Sequence, residues 1–244
     1  MRPLVVLPTY NEAENIAEVL GLVRAHLPSA AVLVVDDGSP DGTADIAEAM
    51  GSRDPAVRVL RRPGKAGLGS AYRAGFERGL AEGFDVCIEM DSDLSHDPAV
   101  LPALVAALEH GADLAIGSRY VPGGSIPDWS FHRRFLSRWG NRYAGAVLGL
   151  AVRDATSGFR AYRAATLAAL DLDTVRADGY GFQIEMAYRT ARAGGRIVEV
   201  PIAFVDRIRG TSKMSGRIIV EALVLVTGWA VRDRVLRRRR GARR

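Results

Sequence analysis

Apolar residues fall along this chain at two spacings. Residues 4–7 form a short unbroken apolar run that stops at Pro8, and residues 31–35 form a second. Such runs, bounded by turn residues, mark strands buried on both faces. Residues 57–60 read as a third strand, and residues 86–90 as a fourth that leads directly into Asp91. Between them, Ile16, Val19, Leu20, Val23 and Leu27 recur at helical spacing, and residues 43–50 also read as helix. A glycine-rich turn at residues 64–69 opens onto a helix carrying Leu68, Tyr72, Phe76 and Leu80. Leu101, Leu104, Val105 and Leu108 mark another helix, and residues 114–116 another strand. Strands alternating with helices predict βαβ units: an α/β chain with a mostly parallel central sheet flanked by helices.

The pattern changes after about residue 120. Gly123, Gly124 and Pro127 mark a loop, followed by a basic and aromatic stretch over residues 129–142 and a small-residue helix to about Leu150. Residues 179–194 read as a helix. Residues 197–204 read as a strand containing Pro201, which places that strand at a sheet edge.

Composition narrows the class. The 244 residues are 48% hydrophobic and 25% charged, as in a globular protein rather than a disordered or fibrous one. The lone cysteine, Cys87, lies in an apolar run, reads as a small buried hydrophobe and excludes a disulfide within the chain. The N-terminal apolar stretch is too short for an export signal. The net charge of +5 misdescribes the body, because residues 232–244 alone hold eight arginines and one aspartate. Without them 25 basic and 27 acidic residues remain, so the basic character belongs to a tail suited to an anionic surface.

In parallel α/β sheets, ligands sit at the carboxyl ends of strands. Three polar clusters fall there: residues 8–12, 36–41 and 91–93. Asp91-Ser92-Asp93 supplies hard oxygen ligands for Mg²⁺ or Mn²⁺, which commonly take one or two carboxylates together with substrate phosphates. The plainer reading is two solvated loop acids; placement at the end of a buried strand favours the metal. Asp36 and Asp37 could accept hydrogen bonds from a ribose or base, or could serve an Asx-turn or helix cap, a duty that Asp41 also fits. Tyr10 could stack on a base and Glu12 accept from it, while the same stretch also suits a helix start. Arg119, Arg133, Arg134, Arg160, Arg207 and Lys213 are candidates for phosphate oxygens, although surface arginines are usually solvated.

Together these stretches resemble the polyprenol-phosphate mannosyltransferases, the group typified by dolichol-phosphate mannose synthase. The resemblance runs through Leu7-Pro8-Thr9-Tyr10-Asn11-Glu12, Val35-Asp36-Asp37-Gly38-Ser39-Pro40-Asp41-Gly42-Thr43, Gly64-Lys65-Ala66-Gly67-Leu68-Gly69 and Met90-Asp91-Ser92-Asp93-Leu94-Ser95-His96. It continues through Gly117-Ser118-Arg119-Tyr120, Thr156-Ser157-Gly158-Phe159-Arg160, Gly179-Tyr180-Gly181-Phe182-Gln183, and Asp206-Arg207 to Ser212-Lys213, spanning about residues 4–215. It implies the GT-A (Rossmann-like) fold over residues 1–210, followed by a C-terminal amphipathic, membrane-interface helix and basic tail over residues 211–244.

By position, the resemblance implies that Pro8, Tyr10, Glu12, Val35 and Asp37 hold the nucleoside and that Asp91 and Asp93 bind Mg²⁺ or Mn²⁺, with Ser92 beside the diphosphate. It places Arg119 and Arg133 against a lipid phosphate and Arg207 and Lys213 over the donor phosphates. Relatives can use a glutamine as a third metal ligand where this chain has Ser95, which implies water in that place. The implied reaction is inverting transfer of mannose from GDP-mannose to a polyprenyl monophosphate. Two alternatives are UDP-glucose, or another UDP-sugar, as donor and a non-catalytic nucleotide-sugar binding subunit. The absence of Gly-x-Gly-x-x-Gly after the first strand argues against a dinucleotide-binding dehydrogenase.

Residues 218–231 are strongly apolar but shorter than the roughly 20 residues a membrane span needs. They read either as a packed helix or as an interfacial one with Trp229 at headgroup level and the arginines on anionic lipid. A tail for nucleic acid would lack an interleaved aromatic platform. The chain is therefore expected at the cytoplasmic face of a membrane, docked peripherally or held by a membrane-embedded partner.

Overall fold

The computed structural model describes residues 1–206 and 223–232. Among these residues seven strands form one sheet: β1 (Pro3–Thr9), β2 (Ala31–Asp36), β3 (Val57–Arg61), β4 (Val86–Glu89), β5 (Leu114–Ser118), β6 (Arg160–Arg163) and β7 (Ile197–Pro201). The order is β3-β2-β1-β4-β6-β5-β7. Neighbours are parallel except β6, which runs antiparallel to both β4 and β5. Helices α1 (Ile16–His26), α2 (Thr43–Gly51) and α3 (Leu68–Ala81) join the first four strands, and α4 (Leu101–Glu109) leads into β5. The second half adds α5 (Phe131–Leu148), α6 (Ala164–Ala169) and α7 (Gly179–Arg192).

The unbroken apolar runs follow from burial on both faces. Along β1, Leu4 and Val6 enter one core with Tyr72, Phe76 and Phe182. Val5 and Leu7 enter the opposite core with Ile16, Leu20 and Leu104. Successive strand side chains point to opposite faces, so both sets must be apolar when helices cover both. On α3, a Cβ at Gly75 would stand 2.4 Å from the Val6 side chain, so only a glycine lets the helix lie this close to β1. That approach carries Tyr72 beneath the end of β4.

The structure departs from the sequence reading in several places. β1 does not stop at Pro8 but continues to Thr9, with Pro8 opposite Val35. The β1–β4 ladder has already ended at the Val6–Glu89 pair. The Pro8 carbonyl accepts from the Ser92 hydroxyl, which follows β4. A residue's N and C=O point to the same side of a strand, so the missing proline N–H faces a gap where no ladder partner is needed. The basic stretch and the helix expected after it are one element, α5, capped by the Ser130 side chain and closed by Gly149 at φ 69°. β6 and α6 were not anticipated, because four residues bracketed by Arg160 and Arg163 show neither apolar period. β7 lies at the sheet edge as Pro201 indicated, and it ends there rather than at residue 204.

Residues 223–232 are helical. Val226 is buried in the body's core and Trp229 stacks on Tyr188 with ring centroids 6.0 Å apart, while Val224 and Val231 are exposed. The described part of the tail thus presents one packed face and one open face. The expected membrane-interface segment and basic tail otherwise fall largely in residues 207–222 and 233–244, outside the described residues.

Candidate active site

The carboxyl ends of β1, β2 and β4 open onto a chamber of about 570 Å³. Pro8, Tyr10, Glu12, Asp37, Asp91 and Asp93 line it, so residues expected from three separate stretches share one wall. Asp36 and Asp37 divide the two readings left open above. Asp36 accepts from the Thr9 hydroxyl at 2.9 Å and from the Ser39 backbone and hydroxyl at 2.9 and 2.6 Å, so it folds the turn. Asp37 faces the chamber, paired with Arg62 at 2.8 Å and accepting from the Ala66 N–H at 3.2 Å. Asp41 makes the Asx-turn, accepting from the Thr43 N–H at 3.1 Å. Lys65 lies over the Tyr10 ring, 4.9 Å from its centroid. Val35 is fully buried in the core and does not line the chamber.

After β4 the chain turns sharply. Leu94 sits at φ 65°, a conformation rare for a branched residue. The turn lets the Ser95 N–H and hydroxyl donate to Asp93 Oδ1 at 3.0 and 2.5 Å. Ser95, at the position of a third metal ligand in relatives, is therefore directed to Asp93. The Tyr72 hydroxyl donates to Asp91 Oδ1 at 3.3 Å, and the Asp91 N–H donates to His96 Nδ1 at 3.2 Å. Burial pushes the His96 imidazole down to about 4, so at neutral pH it is uncharged and the proton resides on Nε2. The two aspartates offer hard oxygen donors that suit Mg²⁺ or Mn²⁺. Among the described residues no three His, Cys, Asp or Glu side chains gather as a metal cage. The donor set therefore fits a cation that shares its shell with phosphate and water.

The opposite wall is basic. Arg119 is 5% exposed and makes a fork to Asp154, with Nε and Nη2 each 2.7 Å from a carboxylate oxygen. Burial alone would raise the Asp154 carboxyl, but the charge and hydrogen bonds of Arg119 hold it below the usual range. The Asp154 N–H in turn donates to Glu199 of β7 at 3.0 Å. Arg133 lies 3.9 Å above the Trp129 ring and donates from Nη1 to both Asp206 oxygens, at 2.9 and 3.0 Å. The Trp129 indole N–H donates to the same carboxylate at 2.9 Å. Arg119 and Arg133 both line the chamber, each held by a carboxylate. Arg207 and Lys213 lie outside the described residues.

The chamber also contains groups that sequence reasoning did not single out: Lys65, His96, Trp129, Asp178, Tyr180 and Gln183. Most lay in plain view. Lys65, His96, Tyr180 and Gln183 occur in stretches that carry the family resemblance, and Trp129 opens the basic aromatic stretch.

The mostly parallel sheet, its order and the acidic pair at a strand end fit the GT-A fold. Over residues 4–170 the chain matches the description Glycosyl transferase family 2. It is 54% identical over 234 residues to an undecaprenyl-phosphate mannosyltransferase of Micrococcus luteus, covering 96% of each chain. It is 49% identical over 239 residues to a polyprenol monophosphomannose synthase of Mycolicibacterium smegmatis, covering 98% of this chain and 90% of that one. The fold overlays on glucosyl-3-phosphoglycerate synthase from Mycobacterium tuberculosis with a TM-score of 0.70 at 23% identity, over 93% of this chain and 79% of that one. It also overlays on a Pyrobaculum calidifontis mannosyltransferase solved with GDP-Man and Mn²⁺, with a TM-score of 0.63 at 19% identity, over 95% and 64% of the two chains. The chain belongs to glycosyl transferase family 2.

Proposed function

We propose that this enzyme transfers mannose from GDP-mannose to a polyprenyl monophosphate at a membrane surface, inverting the anomeric carbon to give a β-linked mannosyl phosphate. The observation that carries this reading is the continuity of the basic wall with an apolar groove. Arg133, Trp129, Thr156 and Tyr180 border both the chamber and a groove between α5 and the 223–232 helix, where Leu136, Tyr143, Ile184, Leu223 and Val226 form the walls. A phosphate met by arginines, with an apolar passage leading away from it, suits a lipid phosphate better than a soluble sugar acceptor. The names of the two relatives support the same acceptor and sugar.

The donor base would sit by Tyr10 and Asp37, and the diphosphate by Asp91 and Asp93. Mg²⁺ or Mn²⁺, when bound by these two carboxylates, supplies Lewis-acid neutralisation of the leaving diphosphate. Arg133 and Arg119 draw the acceptor phosphate to the sugar, with the Asp206 carboxylate giving up Arg133 as the phosphate arrives. A phosphate oxygen attacks the anomeric carbon while GDP departs from the opposite face. The acceptor is already anionic, so no strong base is required. The main demand is to hold two anions together in line.

The exterior supports the membrane setting. Phe131, Phe135, Leu136 and Trp139 are exposed along α5, and Arg134, Arg138 and Arg142 accompany the aromatics there. Aromatic rings beside arginines suit the headgroup region of an anionic bilayer. No helix among the described residues is long and apolar enough to cross a membrane. The function is tested by assaying the full chain with polyprenyl phosphate against a panel of GDP- and UDP-sugars in Mn²⁺ or Mg²⁺. GDP-mannose should give the highest kcat/KM and a product labile to mild acid. A UDP-sugar turning over faster would overturn the donor assignment.

A further inference from the structure

Gln183 stands near the start of α7, 2% exposed and part of the chamber wall. Its backbone carbonyl is fixed by Arg160 Nη1 at 2.6 Å. Its carboxamide, by contrast, has no hydrogen-bond partner on either Nε2 or Oε1. The one competing claim on it comes from Glu89 behind, whose carboxyl the amide favours through a contact longer than an ordinary hydrogen bond, so the amide is not committed to that partner. Buried amides are rarely left unpaired, and one that borders a binding chamber invites a ligand. The space in front of it is kept open by a glycine. A Cβ at Gly158 would meet Gln183 Nε2 at 3.6 Å, Asp91 Oδ1 at 3.8 Å and His96 Cε1 at 3.9 Å. The amide and the aspartate therefore border one small volume that a side chain at position 158 would fill.

We infer that the Gln183 carboxamide hydrogen-bonds hydroxyls of the donor sugar and so helps to select which sugar is transferred. This rests on the nucleotide-sugar reading above. The base end of the donor belongs to Tyr10 and Asp37, the diphosphate to the Asp91 side, and the acceptor phosphate to Arg119 and Arg133. What remains between Asp91 and Gln183 is the uncharged, hydroxyl-bearing part of the substrate. A carboxamide presents donors and an acceptor without net charge, matching hydroxyls that both donate and accept. A site built to pair with a hydroxyl discriminates strongly against a sugar that lacks it or places it elsewhere.

The test compares the full-length wild-type chain with Gln183→Ala and Gln183→Met, using GDP-mannose and its 2-, 3-, 4- and 6-deoxy analogues with polyprenyl phosphate. GDP binding in Mn²⁺ is measured by calorimetry, and folding by thermal melting. For GDP-mannose, kcat/KM should fall about 10- to 100-fold in Gln183→Ala, while GDP affinity stays within about twofold of wild type, as expected for a group that does not touch the nucleotide. For the analogue lacking the contacted hydroxyl, wild type and variant should agree within about twofold. An equal loss with every analogue, a parallel loss of GDP affinity, or no loss at all would overturn the inference. If Gln183→Ala melts at assay temperature, Gln183→Met, of similar size and without a hydrogen-bonding amide, carries the same comparison. If wild type ignores GDP-mannose but uses another nucleotide-sugar, the proposed function fails on its own, and the deoxy series of that sugar decides the role of Gln183.

Discussion

The two walls of the chamber are built in different ways. On the proposed donor side the turns are tied locally, Asp36 to Ser39, Asp41 to Thr43 and Asp93 to Ser95, while the chamber-facing Asp37 and Asp91 reach Arg62 across 25 positions and Tyr72 across 19. On the proposed acceptor side the partners are more distant still. Arg119 reaches Asp154 across 35 positions, Asp154 reaches Glu199 across 45, and Arg133 reaches Asp206 across 73. That wall is complete within β1 to β4 and the segments joining them. The acceptor wall exists only once antiparallel β6 has joined the two halves of the sheet. The first kind of wall suits a part common to many nucleotide-sugar enzymes, and the second a part adapted to one acceptor.

Four variants would break or sharpen that contrast. Asp91→Ala, on the donor wall, should have the largest effect: turnover lost, by about 10³-fold or more, without loss of the folded state. Initial rates in Mn²⁺ with a melting curve check it, and near-normal rates in metal-free buffer would end the metal reading. Asp154→Asn, on the acceptor wall, should instead damage the fold, because it strands Arg119 buried and unpaired. The expected cost is about 3–5 kcal/mol in urea unfolding.

The same pair carries a pH signature. The folded Asp154 carboxyl is held below its unfolded value. Its contribution is therefore complete above the unfolded carboxyl pKa of about 3.9 and is lost as pH falls through the folded value. The stability gap between wild type and Asp154→Asn should narrow in that acid window. A gap as wide there as at pH 7 would mean the pair is not held by charge.

Smaller effects are expected at the rim. Arg133→Ala should raise the KM for the lipid about tenfold, the scale of one charge-assisted contact that is partly open to solvent, and leave the KM for the donor nearly unchanged. Equal shifts in both would remove Arg133 from the acceptor. The smallest effect belongs to the outer face of α5. Phe135→Ser combined with Trp139→Ser should weaken flotation with anionic vesicles about fivefold and spare turnover of a short-chain acceptor in detergent. Unchanged flotation would move the membrane contact elsewhere.

The same contrast explains what the sequence disclosed. β1 to β4 were legible because burial on both faces leaves runs that require nothing beyond their neighbours. Asp91, Asp93 and Asp37 could be found from their position after those runs. β6 could not, since its pairing with β4 is decided by closure of the sheet and its first residue is an arginine. The fully buried Arg160 looks like a surface charge in the sequence; in the fold it is met by the carbonyls of Ala155, Ser157 and Gln183, by the Tyr162 hydroxyl and by the nearby Glu89 carboxyl. Val35 illustrates the opposite case: the family motif reaches it, but its side chain belongs to the core. The engagement of Arg119 with Asp154 rather than with open solvent was also beyond reach, because no local spacing predicts a partner 35 residues away.

The direction of β1 has a practical consequence. The strand begins at Pro3 and delivers Pro8 and Thr9 to the chamber, so Met1 lies at the opposite end of the sheet, roughly 20 Å away at the usual strand rise. Asp206, by contrast, stands at the chamber mouth beside Arg133. An affinity handle, fluorophore or biosensor attachment at the amino terminus would leave the working end facing outward. The same attachment made just beyond Asp206 would stand in the doorway.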